Sequence, residues 1–450
     1  MGLVCQANPG ASQPAAASPP PQRAASPGEA ERQAFDRRTE GYAARCAAAW
    51  AETSAALPGF GTTVCLAAKL EREHRADQSL DQIERMLRRW PASLAKRPAW
   101  RQDLLHALRG IAGDYLECDA EGLDQLFTDE ALEATRQFIR EARRFAPAIA
   151  DKSLFQALRN LWVVHSVQLF LHAPMALSPA IFAYSMLYPW TDNCLDDLRL
   201  TRAAKLAFGD WLDRRLTGVK AAPRDFHAEQ VCRLVSMIEQ LYPRPEFPDV
   251  YHSLQAIHQA QMRSLEQQDP ARTWDEESLL SLSIAKGGTS VLADACLVRG
   301  ALSDDEAEFM FAYGVLLQLM DDLQDIPDDV ANGHMTIFTR QTRLGPLDGV
   351  TARLWSYTQT VLWGFSRFAS AQPRSLKSLI RDNFRLLILQ TVARNREFYT
   401  PDFVRALEAT SPVRFSYLAR QEKVLAGRYF QVSASLRQSR KIASLFEMLD

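Results

Sequence analysis

Two long apolar stretches in this chain each run straight into a cluster of aspartates. Tyr184-Ser185-Met186-Leu187-Tyr188-Pro189-Trp190 leads into Asp192-Asn193-Cys194-Leu195-Asp196-Asp197. The run from Phe309 to Met320 leads into Asp321-Asp322-Leu323-Gln324-Asp325 and on to Asp328-Asp329. Runs this apolar read as helices buried on most faces. On a helix, residues four apart project from one face. Asp192 therefore shares a face with Asp196, and Asp321 shares one with Asp325 and Asp329. A single acidic run is usually a solvated helix face. A buried helix that ends in stacked carboxylates instead places them at the mouth of a cavity, where ionisable groups tend to be functional. The pattern predicts a bundle in which both acidic ends face one central cavity.

The rest of the chain reads as helix. Apolar periodicity recurs over Leu80–Arg89, Trp100–Leu116, Leu132–Phe145, Leu154–Leu171, Val231–Leu241, Leu254–Leu265, Leu279–Val298 and Ser375–Phe398, with breakers such as Pro243-Arg244-Pro245 between. No strand-and-turn rhythm and no internal repeat interrupts it, so the fold class is all-α. Residues 1–35 are rich in Ala, Pro and Ser and read as a disordered tail. Residues 36–145 read as an N-terminal helical extension, and 146–450 as the main bundle. No charged residue stands between Arg159 and Asp192, a span long enough to cross a bilayer. It contains His165, Gln168, His172, Pro174, Pro179 and Pro189, so two buried helices joined near Ala173–Ser178 are expected, without stable membrane insertion. A net charge of −2 argues against nucleic-acid partners held by bulk electrostatics. Seven dispersed cysteines without a Cys-x-x-Cys pair suit free thiols in a reducing, cytoplasmic setting. With no Cys/His ligand spacing, no zinc site is expected, and Cys194 and His165 read as core residues.

Crowded carboxylates repel unless a cation neutralises them. Hard oxygen donors in this number suit Mg²⁺, which commonly also takes phosphate oxygens of a substrate. The two clusters resemble the metal-binding motifs of the class I isoprenoid synthase superfamily, which comprises terpene synthases, trans-prenyltransferases and squalene/phytoene synthases. Asp192-Asn193-Cys194-Leu195-Asp196-Asp197 is similar to the Asp-x-x-x-Asp-Asp form of squalene and phytoene synthases. Asp321-Asp322-Leu323-Gln324-Asp325 reads as Asp-Asp-x-x-Asp. Asp321, Asp325 and Asp329 also match the spacing of the terpene-cyclase metal triad. Lys286-Gly287-Gly288-Thr289 resembles the lysine-bearing helix break that contacts diphosphate. The resemblance covers residues 150–345 well and the remainder loosely.

That resemblance implies a helical bundle that ionises a prenyl diphosphate with Mg²⁺, as three ions, Mn²⁺ being a substitute. Asp192, Asp196, Asp321 and Asp325 are then the first-choice metal ligands, with Asp197, Asp322 and Asp329 next. Pro327 threatens to end the helix before Asp329. Lys286 is the expected diphosphate donor, with Gly287-Gly288 interrupting the helix beside it. Arg199 and Arg202 stand roughly where elongating enzymes carry an Arg-Arg pair, and His334 where they carry lysine. Arg394, Arg396 and Tyr399 are candidates to close over the leaving group, with Arg428-Tyr429 competing. Tyr184, Tyr188, Trp190, Phe309 and Tyr313 are candidate walls of a dry chamber, and Tyr188 and Tyr313 are the favoured substrate contacts.

Elongating enzymes also carry an early Gly-Lys-Arg element, and residues 36–150 contain nothing similar. With the split Arg199/Arg202 pair and His334, this favours a terpene synthase acting on one prenyl diphosphate. A chain-elongating or head-to-head prenyltransferase is the alternative within the enzymes, and a non-catalytic helical partner protein the alternative outside them. A homodimer is compatible with any of these readings.

Overall fold

The computed structural model describes residues 27–420, apart from 57–58, 90, 92, 117–123, 125–127, 198 and 269–271. It is helical, with no strand among the described residues. The principal helices in chain order are α1 (Pro27–Glu52), α2 (Leu66–Arg88), α3 (Arg97–Leu116), α4 (Asp129–Phe145), α5 (Asp151–Phe170) and α6 (Pro179–Asp196). Then come α7 (Arg202–Leu216), α8 (Phe226–Leu241), α9 (Pro248–Ser264), α10 (Glu276–Arg299), α11 (Asp304–Gln324) and α12 (Ile326–Asn332). The last are α13 (Ile337–Thr342), α14 (Asp348–Trp363), α15 (Arg367–Ala371), α16 (Arg374–Arg394) and α17 (Pro401–Thr410).

Local sequence sets the boundaries of the central helices. Gly300, at φ 78°, ends α10 in a conformation that favours glycine. Ser303 and Glu306 then form a reciprocal capping box that starts α11, with Asp304, Asp305 and Glu306 at the positive end of its dipole. Ser178 caps α6 by accepting from the backbone N–H of Ile181, and Pro179 opens its first turn. Between Arg159 and Asp192 the chain forms α5 and α6, two helices joined through a turn at His172, as expected. None of the described helices is long and apolar enough to cross a membrane.

The interior is built around α10 and α11, which pack against each other along their lengths, with α9 against α10 and with α14 and α16 against α11. The backbones of α10 and α11 touch at Gly287 and Gly314. A Cβ on either glycine would fall well inside contact distance of the other's carbonyl oxygen. On one side of this pair, α6 packs on α5 and α8.

The helices refine the first two sequence segments. Helix α1 begins at Pro27, inside the segment 1–35 read as a disordered tail. The extension read over 36–145 includes helices laid directly on the bundle. Helix α1 lies across α10 and α11, and Phe35, Tyr42, Cys46 and Trp50 join the same continuous hydrophobic core as α4–α16. These four residues fall on one narrow face of an otherwise polar helix. Helix α2 is tied to the far end of the chain, where the guanidinium of Arg414 pairs with the buried carboxylate of Glu73 and Tyr417 donates to Asp77 at 2.9 Å.

Candidate functional site

The first acidic cluster lies on the last turn of α6. Asp192 accepts a hydrogen bond from Gln261 Nε2 of α9 at 2.6 Å. Asp196 is the last helical residue; its side chain lies outside the described residues. Asp197 has already left the helix, with ψ 110°. Its carboxylate accepts from the backbone N–H of Arg199 and from the guanidinium at 2.8–3.2 Å. Those bonds hold its pKa down to about 2. Asp197, a second-choice ligand, and the mostly exposed Arg199 are therefore paired with each other in a local turn.

The second cluster crosses the α11–α12 junction without losing its direction. Asp325 donates its backbone N–H to Asp321 O at 2.9 Å, and Asp329 donates to Asp325 O at 2.8 Å. Pro327 sits in the first turn of α12, where its missing N–H costs little. The break feared at Pro327 does not divert the stripe, and Asp321, Asp325 and Asp329 remain mutual neighbours. Burial, and next the charge of Asp321, pushes Asp325 up to about 6. The Asp325 side chain is exposed, and solvent weakens both causes there. Burial plus the charges of Asp322, Asp325 and Asp321 pushes Asp329 up to about 8. Asp322 faces inward. It accepts from Ser283 Oγ of α10 and from Gln318 Nε2, both at 2.7 Å, and burial raises it to about 6.

Lys286 of α10 stands between the clusters. Burial works against its charge, but Asp192, Tyr188, Asp322 and Asp321 outweigh it and hold the ammonium above its ordinary range. Asp192 belongs to the first cluster and Asp321 and Asp322 to the second, so one cation feels both. The expected helix break beside it is absent. Helix α10 continues through Gly287-Gly288, because these glycines admit the backbone of α11 and the ring of Phe311. Their lack of a side chain serves close packing instead of opening a turn.

A polar seam runs inward from Lys286 between α6 and α10. Tyr188 Oη lies 3.2 Å from Ser290 Oγ, and Tyr184 donates to Ser290 O at 3.3 Å. At its inner end Asp294 Oδ1 accepts from Asn160 Nδ2 at 3.2 Å, while Oδ2 is buried without a hydrogen-bond partner. Burial holds this carboxyl well above the usual range. His334 lies on the outer side. Burial, and then the nearby Lys286 charge, lowers its imidazole to about 4, so it is neutral at pH 7.

Several other sequence candidates lie elsewhere. Trp190 packs among Phe145, Phe226 and His227. Phe309 and Tyr313 pack on Phe170, with the Tyr313 hydroxyl donating to Ser166 Oγ at 3.1 Å. Tyr313 is thus a core residue in place of the expected substrate contact. Tyr399 is also a core residue: it stacks on Phe403, and its hydroxyl lies 3.2 Å from Thr351 Oγ1. Arg396 lies over the Phe415 ring, and Arg394 is exposed at the end of α16. Arg202 is exposed at the start of α7. Arg428 and Tyr429 lie outside the described residues. His165 is a core histidine, with Nδ1 2.9 Å from Gln168 Oε1 and its pKa lowered by burial.

The sequence did not single out Arg159, Gln261, Ser283, Gln318 or Asp294. All but Gln318, which lies one turn before Asp322 on α11 itself, come from helices that tertiary packing brings in. Arg159 of α5 donates from Nη2 to Asp321 Oδ1 at 3.1 Å. Among the described residues, no three or more His, Cys, Asp or Glu side chains converge to hold a metal ion. Two shallow or small concave features stand out among the described residues. One is a cavity of about 10 Å³ bordered by Phe35, Tyr42, Asp249 and Cys296. The other is an open depression of about 350 Å³ bordered by Phe145, Glu229 and Arg233. Neither is the deep central cavity expected between the clusters. No family model matches the chain, and no curated protein matches it.

Proposed function

We propose that the protein is a Mg²⁺-dependent class I isoprenoid synthase of the terpene synthase kind, ionising one linear prenyl diphosphate. The observation that carries this reading is the placement of Lys286 in the field of Asp192 on one side and of Asp321 and Asp322 on the other. A lone acidic helix end needs no partner, but two acidic ends sharing one half-buried cation make an electrostatic centre. The donors are hard oxygens, and burial together with the neighbouring carboxylates raises the pKa values of Asp325 and Asp329. Such donors suit Mg²⁺ by their chemistry, and Asp192, Asp321 and Asp325, with Asp329 beside them, would hold it once their side chains are drawn together. When bound, the ion supplies positive charge to a departing diphosphate.

The chain's own residues have separate tasks. Lys286 donates to a diphosphate oxygen and stabilises the charge that develops as the allylic C–O bond breaks and its electron pair leaves with oxygen. Gln261 fixes the orientation of Asp192, and Ser283 with Gln318 fixes that of Asp322. A hydrocarbon chain entering beside Lys286 would part α6 from α10, where Tyr184 and Tyr188 present aromatic faces to a carbocation. The cation rearranges or cyclises and then loses a proton, for which the released diphosphate is an adequate acceptor. Neutral His334 adds no positive charge for a second diphosphate, which favours ionisation over chain elongation.

The test is incubation with Mg²⁺ and C10, C15, C20 and C25 prenyl diphosphates, each with and without isopentenyl diphosphate. Hydrocarbon or alcohol from a single diphosphate is the expected outcome. Lengthened diphosphates would replace this reading with a prenyltransferase, and inertness toward all of them would remove the enzyme reading.

A pH dependence follows from the same acids. Asp325 and Asp329 are protonated below about 6 and about 8, and Mg²⁺ requires them ionised. Apparent Mg²⁺ affinity is therefore expected to rise by about two orders of magnitude between pH 6 and pH 8, with proton release on binding. Titration calorimetry in buffers of different ionisation enthalpy measures both, and a flat affinity across that range would contradict the assignment of these ligands.

A further inference from the structure

We infer that the seam between α6 and α10 is a ligand track with an oxygen-binding floor: Asp294, Asn160 and Ser185 receive a hydroxyl at the end of a ligand chain whose diphosphate sits at Lys286. This deepens the ionisation reading by naming its substrate class, and it rests on the diphosphate placed at Lys286. The two helices face each other with matching polar stripes in an otherwise apolar interior. Tyr184, Tyr188 and Asp192 recur every fourth residue on α6, and Lys286, Ser290 and Asp294 every fourth residue on α10. The stripes meet in opposed order. Lys286 lies in the field of Asp192 at the mouth, Tyr188 Oη lies 3.2 Å from Ser290 Oγ midway, and Asp294 is within electrostatic reach of Tyr184 at the inner end. Exposure falls along the track, from half-buried Lys286 and Tyr188 to 9% at Ser290 and 1% at Asp294. Helix α6 also touches α10 less extensively than it touches α5 or α8, so packing closes this seam least.

The floor holds a polar atom that the protein leaves unsatisfied. Asn160 Nδ2 of α5 donates to Asp294 Oδ1 at 3.2 Å and to Ser185 Oγ at 3.1 Å, which fixes the carboxyl on one side. Asp294 Oδ2 is buried without a hydrogen-bond partner. A buried polar group left unpaired is costly, and in a native interior it calls for an explanation. Leucine would fill the same position without that cost. Linking α5, α6 and α10 does not require the second oxygen either, because Oδ1 alone makes the link. Burial favours the neutral carboxyl, a form that donates one hydrogen bond and accepts others. Its match is a neutral hydroxyl, which accepts from the acid and donates in return. An ammonium end would need the carboxyl ionised and both charges stripped of water. Lys286 and Asp294 stand eight residues apart on one helix, so about 12 Å separates the two ends of the track. An unsubstituted chain in the same track leaves Oδ2 unpaired and binds more weakly.

Titration calorimetry of the full chain, in Mg²⁺-containing buffer, compares decyl diphosphate with 10-hydroxydecyl diphosphate. Both lack the allylic double bond, so neither ionises and affinity alone is read. The terminal hydroxyl is expected to tighten binding about tenfold or more. The 5-hydroxy isomer should gain nothing, because its oxygen stops short of Asp294. Asp294→Leu should erase the preference, and Asp294→Asn, which keeps polar atoms at the floor, should retain most of it. Circular dichroism identifies any variant that has lost its fold, and the comparison of isomers in wild type then decides by itself. Equal affinities of decyl and 10-hydroxydecyl diphosphate in wild type would overturn the proposal, as would a preference that survives in folded Asp294→Leu. Tighter binding of 10-aminodecyl diphosphate would overturn the hydroxyl assignment in favour of an ion pair. Binding of inorganic diphosphate without either chain would keep Lys286 as the head-group site and remove the track. Failure of inorganic diphosphate to bind at all would remove the ionisation reading as well.

Discussion

Replacing Gly314 with alanine is expected to destabilise the protein by about 3 kcal/mol or more, at the upper end of what overpacking costs. The new methyl would meet the carbonyl oxygen of Gly287 well inside contact distance, with the Val291 side chain at 3.0 Å on its other side. The first obstacle is backbone, which cannot rotate away, so α10 and α11 would have to separate. That contact is the most extensive between any two helices among the described residues. It also sets the distance from Lys286, next to Gly287, to Asp321 and Asp322, two turns beyond Gly314. Loss of stability and loss of the Lys286–Asp322 alignment should therefore appear together. Gly41→Ala provides the control. Gly41 lies within α1, and a Cβ there would meet only Arg45 at an ordinary 3.7 Å. Helix propensity alone should make that variant more stable by up to about 1 kcal/mol. Urea unfolding midpoints of the two variants, compared with wild type, check the pair of expectations. A Gly314→Ala midpoint equal to wild type would show that α10 and α11 are not in backbone contact.

The same pair of glycines marks the limit of reading this fold from sequence. Apolar periodicity was enough to place α10, expected over Leu279–Val298 and observed at Glu276–Arg299, and α5 and α6 on either side of the turn at His172. Glycine in a helical pattern has two opposite uses, breaking a helix or letting a second one approach, and only the neighbouring helix decides between them. Helix α1 was legible only as part of a helical region, without its core-facing side, because that face is narrow: Phe35, Tyr42, Cys46 and Trp50 are separated by charged residues and alanines that hide the period. Within the site, the carboxylates were legible because their spacing along one helix fixes their shared face. The partners of those carboxylates were not. Gln261, Ser283 and Arg159 reach them from other helices, and an arginine on α5 gives no local sign that it points at Asp321. Asp197 failed for a local reason. Arg199, two residues on, captures it as soon as the helix ends. Tyr313 and Tyr399 have the right chemistry, but their hydroxyls are engaged by Ser166 and Thr351 in the packed interior.

Lys286→Ala is expected to lower turnover of an allylic diphosphate by roughly 10²–10³-fold, the effect typical of removing a preorganised donor from developing negative charge. Two losses act in the same direction. The ammonium itself no longer meets the leaving group. Asp322, already at about 6 and kept from rising further by Lys286 among others, would climb when that charge is removed and bind a proton near pH 7. The site would then present less cation to the diphosphate and less carboxylate to the metal. Lys286→Arg keeps the charge but changes its shape, in a helix whose next two residues are pressed against α11, and should restore only part of the rate. Steady-state rates, with Mg²⁺ varied at each pH, separate the two contributions: raising pH should recover the metal affinity of Lys286→Ala without recovering its maximal rate. Isopentenyl diphosphate should be neither consumed nor able to alter the products, in wild type or variant, because neutral His334 offers no second cationic seat. Turnover in Lys286→Ala within tenfold of wild type would remove the lysine from the chemistry, and with it the observation on which the ionisation reading stands. The acidic stripe would then need a cation for some other purpose, since Asp321, Asp325 and Asp329 crowd one another whatever the lysine does.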